Sequence, residues 1–162
     1  MAQAVYVETT IPIFYFETRQ EPEMIARRNW TRTWWSESST GYDVYISEAV
    51  IDELEQGAYP QQHQVLDFIQ ELTILPIESE IAEIVEAYVA CHVMPQDPVG
   101  DALHLAIASY HKCDYLLPWN CQHLATTIKF HHIQRVNTLL GLYIPYLVTP
   151  LELLEGESTD EG

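Results

Sequence analysis

The strongest constraint in this sequence is its alternation of short apolar runs with longer stretches of helical period. Parallel strands cannot be joined by tight turns and need crossovers of a dozen residues or more, usually helices. Residues 4–8 are a β-prone run that stops at Thr9-Thr10-Ile11-Pro12, whose hydroxyl residues and proline turn the chain. Residues 22–38 carry a helical period with Met24, Ile25, Trp30, Trp34 and Trp35 as candidate buried positions, broken over 38–41. A second strand is expected over 43–47, where Ser47 caps a helix over 48–56 that Gly57 closes. Pro60 opens a helix to about Leu72, 74–76 is a short strand, and 80–90 repeats the helical period with Ile81, Ile84, Val85 and Val89. An alanine- and leucine-rich helix over 100–112 leads to a strand over 114–117 that ends at Pro118-Trp119-Asn120. A helix from about 121 to 129, weak strands at 133–136 and 146–148, and a short turn at 151–154 complete the pattern. With no repeat and no linker, the expectation is one α/β domain over 1–150, its mainly parallel sheet covered by helices on both faces, followed by an acidic tail over 151–162.

Such a domain needs no covalent staples, since 162 residues, 48% of them apolar, are enough to bury a core. Cys91, Cys113 and Cys121 are odd in number and lack C-x-x-C spacing, which argues against a disulfide framework or a thiolate zinc site. No apolar run approaches the roughly 20 residues of a membrane span, and the expected location is the cytoplasm. Net charge is −17, against the basic footprint usual in nucleic-acid binders. Glu152, Glu155, Glu157, Asp160 and Glu161 place part of that charge in the tail, while Arg27, Arg28 and Arg32 sit together. Screening over about 8 Å at physiological ionic strength limits the reach of distant charge.

In open α/β sheets, sites gather at the carboxyl ends of strands. Polar residues at those places are Glu8 beside Thr9 and Thr10, Glu53 on the helix after the second strand, Asp101 at the start of the alanine-rich helix, and Asn120 after the strand over 114–117. Carboxylates brought about 5 Å apart repel by roughly 3 kcal/mol at an effective dielectric of 20. A divalent cation resolves that conflict, and all-oxygen ligation selects Mg²⁺ or Mn²⁺. Such an ion polarises a phosphoryl oxygen and activates water for in-line attack.

The stretches Tyr6-Val7-Glu8-Thr9-Thr10-Ile11-Pro12, Ile46-Ser47-Glu48-Ala49-Val50-Ile51-Asp52-Glu53-Leu54, Asp101-Ala102-Leu103-His104-Leu105-Ala106 and Tyr115-Leu116-Leu117-Pro118-Trp119-Asn120 resemble, in order and spacing, the four motifs of PIN domains. The resemblance implies a PIN-like three-layer α/β/α fold with a mainly parallel central sheet and a metal-dependent ribonuclease activity. In many bacterial and archaeal members it also implies the toxin half of a VapC-like toxin–antitoxin pair. Carried across by position, the four catalytic and metal-ligating places fall on Glu8, Glu53, Asp101 and Asn120, with Thr9 and Thr10 in support. The first and fourth places are more often Asp, and Pro118 stands where Thr or Ser is usual. The extra methylene at Glu8 moves its carboxylate by about 1.5 Å.

Each feature also has a plainer account. Asp101 suits a helix N-terminus, Glu53 shares its helix with Glu48, Asp52 and Glu55, and Asn120 is a possible cap. His104, three residues after Asp101, reads as a packed, hydrogen-bonded histidine rather than a zinc ligand. Arg27, Arg28 and Arg32, interleaved with tryptophans, are candidate RNA contacts; the same tryptophans equally suit a core or a homodimer interface. The principal expectation is thus an endoribonuclease with Mg²⁺ or Mn²⁺, an RNA substrate and an antitoxin partner. Its rivals are a catalytically weak PIN-fold module that binds metal or protein, and a structure-specific DNA nuclease.

Overall fold

The computed structural model describes residues 2–93, 100–119 and 127–160. Five strands, β1 (Gln3–Val7), β2 (Tyr42–Ser47), β3 (Thr73–Leu75), β4 (Tyr115–Leu117) and β5 (Tyr146–Leu147), form one sheet in the order β3-β2-β1-β4-β5. Every pairing is parallel. The helices are α1 (Thr10–Tyr15), α2 (Pro22–Thr33), α3 (Glu48–Gln56), α4 (Gln62–Ile69), α5 (Ser79–Ala90), α6 (Gly100–Tyr110), α7 (Thr127–Leu140) and α8 (Pro150–Asp160). The expected three-layer, mainly parallel architecture is therefore present. Among the described residues no helix is long and apolar enough to cross a membrane.

The sheet grows from β1 through β2 to β3, then returns to add β4 and β5 on the other side of β1. That reversal puts the switch point between β1 and β4, where open α/β sheets form a crevice. Val5, Tyr6 and Val7 are fully buried, as the central strand of a sheet covered on both faces must be. The ladder continues one residue further, where the Glu8 amide donates to the Leu117 carbonyl at 3.1 Å.

Local sequence accounts for most elements. Ser47 accepts from the Ala49 amide at 3.2 Å and so caps α3, which carries Glu53. Gly57 follows α3 in an extended conformation, and the Leu54 carbonyl is taken instead by Tyr59 Oη at 3.1 Å and Gln62 Nε2 at 3.0 Å. Helix α6 is buried almost all round, from Ala102 through Ser109, because its alanines let it lie close against its neighbours. Of the tryptophans, Trp34 lies in the core on a π-helical turn (Trp34–Ser38) that extends α2, Trp30 stacks on Trp119, and Trp35 packs on Phe68.

Four local readings are corrected. Residues 9–12 do more than turn the chain: Thr10 begins α1, and Pro12 is accommodated in its first turn. Residues 133–136 are helical within α7, not a strand, and Ile133, Val136 and Asn137 share its buried face. Residues 151–154 belong to α8 rather than to a short turn. The same helix runs through most of the segment expected as an acidic tail over 151–162, and its Leu153 is buried. Thr149 and Glu152 exchange reciprocal 3.2 Å hydrogen bonds at its start, a capping box with Pro150 at the first helical position.

A buried polar knot ties α5, α6 and α7 together. Tyr88 Oη donates to Asn137 Oδ1 at 2.5 Å, and Asn137 Nδ2 donates to Ser109 Oγ and to the Tyr143 carbonyl, each at 3.0 Å. Tyr88→Phe leaves the fully buried Asn137 short of a donor. We expect the unfolding free energy in urea to fall by about 1–3 kcal/mol; a negligible loss would show the knot to be dispensable.

Candidate metal centre

The end of β1 turns directly into α1, and this turn organises the crevice. Glu8 folds back on the two residues after it: its Oε2 accepts from the Thr10 amide at 3.0 Å and from Thr10 Oγ1 at 2.5 Å. A local side-chain turn thus holds the longer side chain. Thr10 Oγ1 also accepts from the Trp119 amide at 2.9 Å, which links the ends of β1 and β4 across the switch point. Trp119 is held in turn by its indole, which donates to Thr31 Oγ1 of α2 at 2.6 Å.

Glu53 reaches the same place from α3. Thr9 Oγ1 donates to its Oε2, and His104 Nε2 lies 2.9 Å from its Oε1. Glu8, Glu53 and His104 bring one ligand atom each to within 4.8 Å of one another. Asp101 stands three residues before His104 on the first turn of α6, close enough for its charge to act on the imidazole. Asn120, the fourth expected ligand, lies outside the described residues.

The electrostatics follow from burial and crowding. Loss of solvation is the largest influence on Glu8 and raises its pKa; His104 and the Thr10 hydrogen bonds oppose this, and Glu53 adds to it. Burial also pushes Glu53 upward, but the His104 hydrogen bond and charge, together with the Thr9 hydroxyl, outweigh it and the net direction is down. For His104, burial disfavours the cation, yet the hydrogen bond to Glu53 and the charges of Glu8, Glu53 and Asp101 prevail and raise its pKa. The cluster therefore draws positive charge inward. Its carboxylate oxygens are hard donors that fit Mg²⁺ or Mn²⁺.

The sequence singled out Glu8, Glu53, Thr9 and Thr10, and all four meet at this crevice. It treated His104 as a packed histidine; the available signal for more was its placement one turn from Asp101. The three arginines are engaged within the chain. Arg27 pairs with Glu23 at 2.7 Å and lies over the Phe14 and Trp119 rings, Arg28 contacts Asn29 at 3.4 Å, and Arg32 donates to the Tyr15 carbonyl at 2.7 Å.

These features define an α/β protein with an acidic crevice at the switch point of an all-parallel sheet. The chain belongs to the PIN domain family, whose match spans residues 5–117. PIN domains are generally nucleases. The fold is also similar to a chain in the crystal structure of VapBC2 from Rickettsia felis bound to a DNA fragment from their promoter. That likeness has a TM-score of 0.58 and 15% identity, and covers 91% of this chain and 98% of that one. Among curated proteins, no sequence match to the chain is found.

The raised pKa of Glu8 has a definite sign for stability. A carboxyl raised in the folded state contributes stability below the ordinary carboxyl range, near about pH 4.3, and loses it as pH rises through the raised value. At neutral pH an ionised Glu8 therefore weakens the metal-free fold. We expect Glu8→Gln in EDTA to melt at or above the parent at pH 7, with the advantage vanishing near about pH 4. Added Mn²⁺ should raise the melting temperature of the parent and not of the variant. A variant that melts lower than the parent in EDTA at pH 7 would reverse this assignment of the Glu8 charge.

Proposed function

We propose that this chain is a metal-dependent endoribonuclease in which Glu8, Glu53 and Asp101, together with Asn120, hold Mg²⁺ or Mn²⁺. The observation that carries the reading is the convergence of the Glu8 and Glu53 carboxylates at the switch point, with Asp101 on the adjoining turn of α6. Bound there, the cation would supply Lewis acidity for phosphodiester hydrolysis. The chain's own residues provide the frame: Thr10 fixes Glu8 to the end of β4, and Thr9 and His104 restrain the two oxygens of Glu53. Side chains held this way lose little further freedom when a cation or phosphate arrives.

An RNA substrate belongs to this proposal through the family, as does the role of toxin with an antitoxin partner, which the likeness to a VapBC2 chain supports at the level of fold. Homodimerisation belongs to it as well, though Trp34 lies in the core and Trp30 and Trp35 pack on aromatic neighbours within the chain. A second reading, a PIN-fold module that binds metal or protein and cleaves little, is favoured by two features. Asn120 and Pro118 depart from the usual site pattern, and the arginines expected to face phosphates have partners inside the chain.

The deciding measurement is cleavage of a labelled RNA pool by the purified protein with Mn²⁺, Mg²⁺ or EDTA, beside Asp101→Asn. Metal-dependent cleavage reduced at least about 100-fold in the variant, a loss of roughly 2.7 kcal/mol of transition-state stabilisation, is the expected result. Metal bound without cleavage by the parent would favour the binding module, and a large gain on Asn120→Asp would trace the weakness to that one residue.

A further inference from the structure

His104 is 2% exposed and has both ring nitrogens engaged. Nδ1 lies 2.7 Å from Tyr6 Oη, and Nε2 lies 2.9 Å from Glu53 Oε1. Behind it runs a closed relay: Tyr6 Oη is 2.7 Å from Ser47 Oγ, which accepts from the Ala49 amide at 3.2 Å. Tyr6 and Ser47 are fully buried, so each hydroxyl hydrogen needs a protein acceptor. One arrangement provides both: Ser47 donates to Tyr6, and Tyr6 donates to His104 Nδ1. Nδ1 is then an acceptor and the ring proton sits on Nε2, aimed at Glu53. A bare Nε2 would instead turn its lone pair toward the carboxylate oxygen 2.9 Å away, and the Ser47 hydrogen would have no acceptor among the described residues. A doubly protonated ring also keeps Nε2–H on Glu53, so the direction of this bond does not depend on the charge of the ring.

We propose that His104 is a positioning residue that holds Glu53 in place for a divalent cation and is not itself a ligand of that cation. The inference rests on the metal-dependent reading above. Its physical basis is that Nδ1 is committed to Tyr6 while Nε2 carries a proton, so neither nitrogen has a lone pair to give. Glu53 needs such help. Its side chain is 39% exposed at the start of the crevice wall, with long rotatable stems free to sample solvent unless both oxygens are tied. Thr9 ties one and His104 the other. The relay through Tyr6 and Ser47 also joins β1, the cap of α3 and α6, so the His104 anchor of Glu53 is set by the core, while the Thr9 anchor comes from the turn at the crevice.

The test compares Mn²⁺ affinity, measured by calorimetry, in the parent, His104→Leu and His104→Gln, with melting temperatures in EDTA to establish folding. Glutamine can return an N–H donor near the place of imidazole Nε2. His104→Leu should weaken Mn²⁺ binding by about 10- to 100-fold, and His104→Gln should recover most of that. In the parent, ¹⁵N spectra of labelled histidine should show Nε2 protonated, and the proton should stay on Nε2 when Mg²⁺ is added. If both variants bind like the parent, or if Gln is as impaired as Leu and Mg²⁺ removes the Nε2 proton, the positioning role is overturned. Should the leucine variant fail to fold, the spectra of the parent decide alone. A parent that binds neither ion overturns the metal reading itself, a result distinct from parent binding that the variants leave unchanged.

Discussion

Two carboxylates held close together at the end of a central strand are the arrangement the rest of this molecule accommodates. At the spacing of the Glu8, Glu53 and His104 ligand atoms, within 4.8 Å, two ionised carboxyls repel by about 3 kcal/mol at an effective dielectric of 20. A protein domain has only some 5–15 kcal/mol of net stability, so a cost of that size needs structural support. The support is specific. Threonine hydroxyls donate to one oxygen of each carboxylate, an imidazole faces the other oxygen of Glu53, and the flanking strands are joined by the ladder of the sheet core. Glu8 is thus a local strain that the fold sustains, as expected where binding outranks stability, while the charge of Glu53 is favoured by its His104 and Thr9 partners.

The topology explains why the strain falls where it does. Because β4 returns to the far side of β1, the chain leaves a crevice between their carboxyl ends, and the first polar residue after β1 is delivered into it. That logic was legible in the sequence. The strand before Glu8, Ser47 as a cap, the α3 face bearing Glu53 and the alanine-rich helix after Asp101 all follow from local patterning. Glu8 is held by Thr10 only two residues away, whereas sequence could not supply the partners of Glu53, because Thr9 meets it across 44 positions and His104 across 51. Such contacts are products of packing and have no local periodicity.

The misread segments have separate physical causes. At 133–136, a window of four residues with two β-branched side chains suits a strand, yet Ile133 and Val136 are also one helical turn apart, and α7 uses that second period. Pro12 was read as a terminator, although proline is tolerated in the first turn of a helix, where its missing N–H forfeits no intrahelical bond. At 149–152 the signal was present: Thr-Pro-Leu-Glu is a capping box with proline at the first helical position, and acidic composition masked it.

The charge of −17 is resolved by locality rather than by balance. Of the arginines of α2, Arg32 is exposed and bonds the Tyr15 carbonyl, whereas Arg27 packs on the wall of the crevice. Arg27 lies over the Phe14 and Trp119 rings, its carbonyl accepts from Thr31 Oγ1 at 2.6 Å, and Thr31 accepts from the Trp119 indole, while Trp30 stacks on the same ring. Trp119, whose amide donates to Thr10, is the point where this aromatic and cationic set meets the acidic one. Pro118 brings no hydroxyl to the crevice, but Thr10 reaches across from β1 to the backbone of the next residue. The position of Glu8 is thereby tied to the packing of α2, and a change among those aromatic residues would be felt at the carboxylates without touching them.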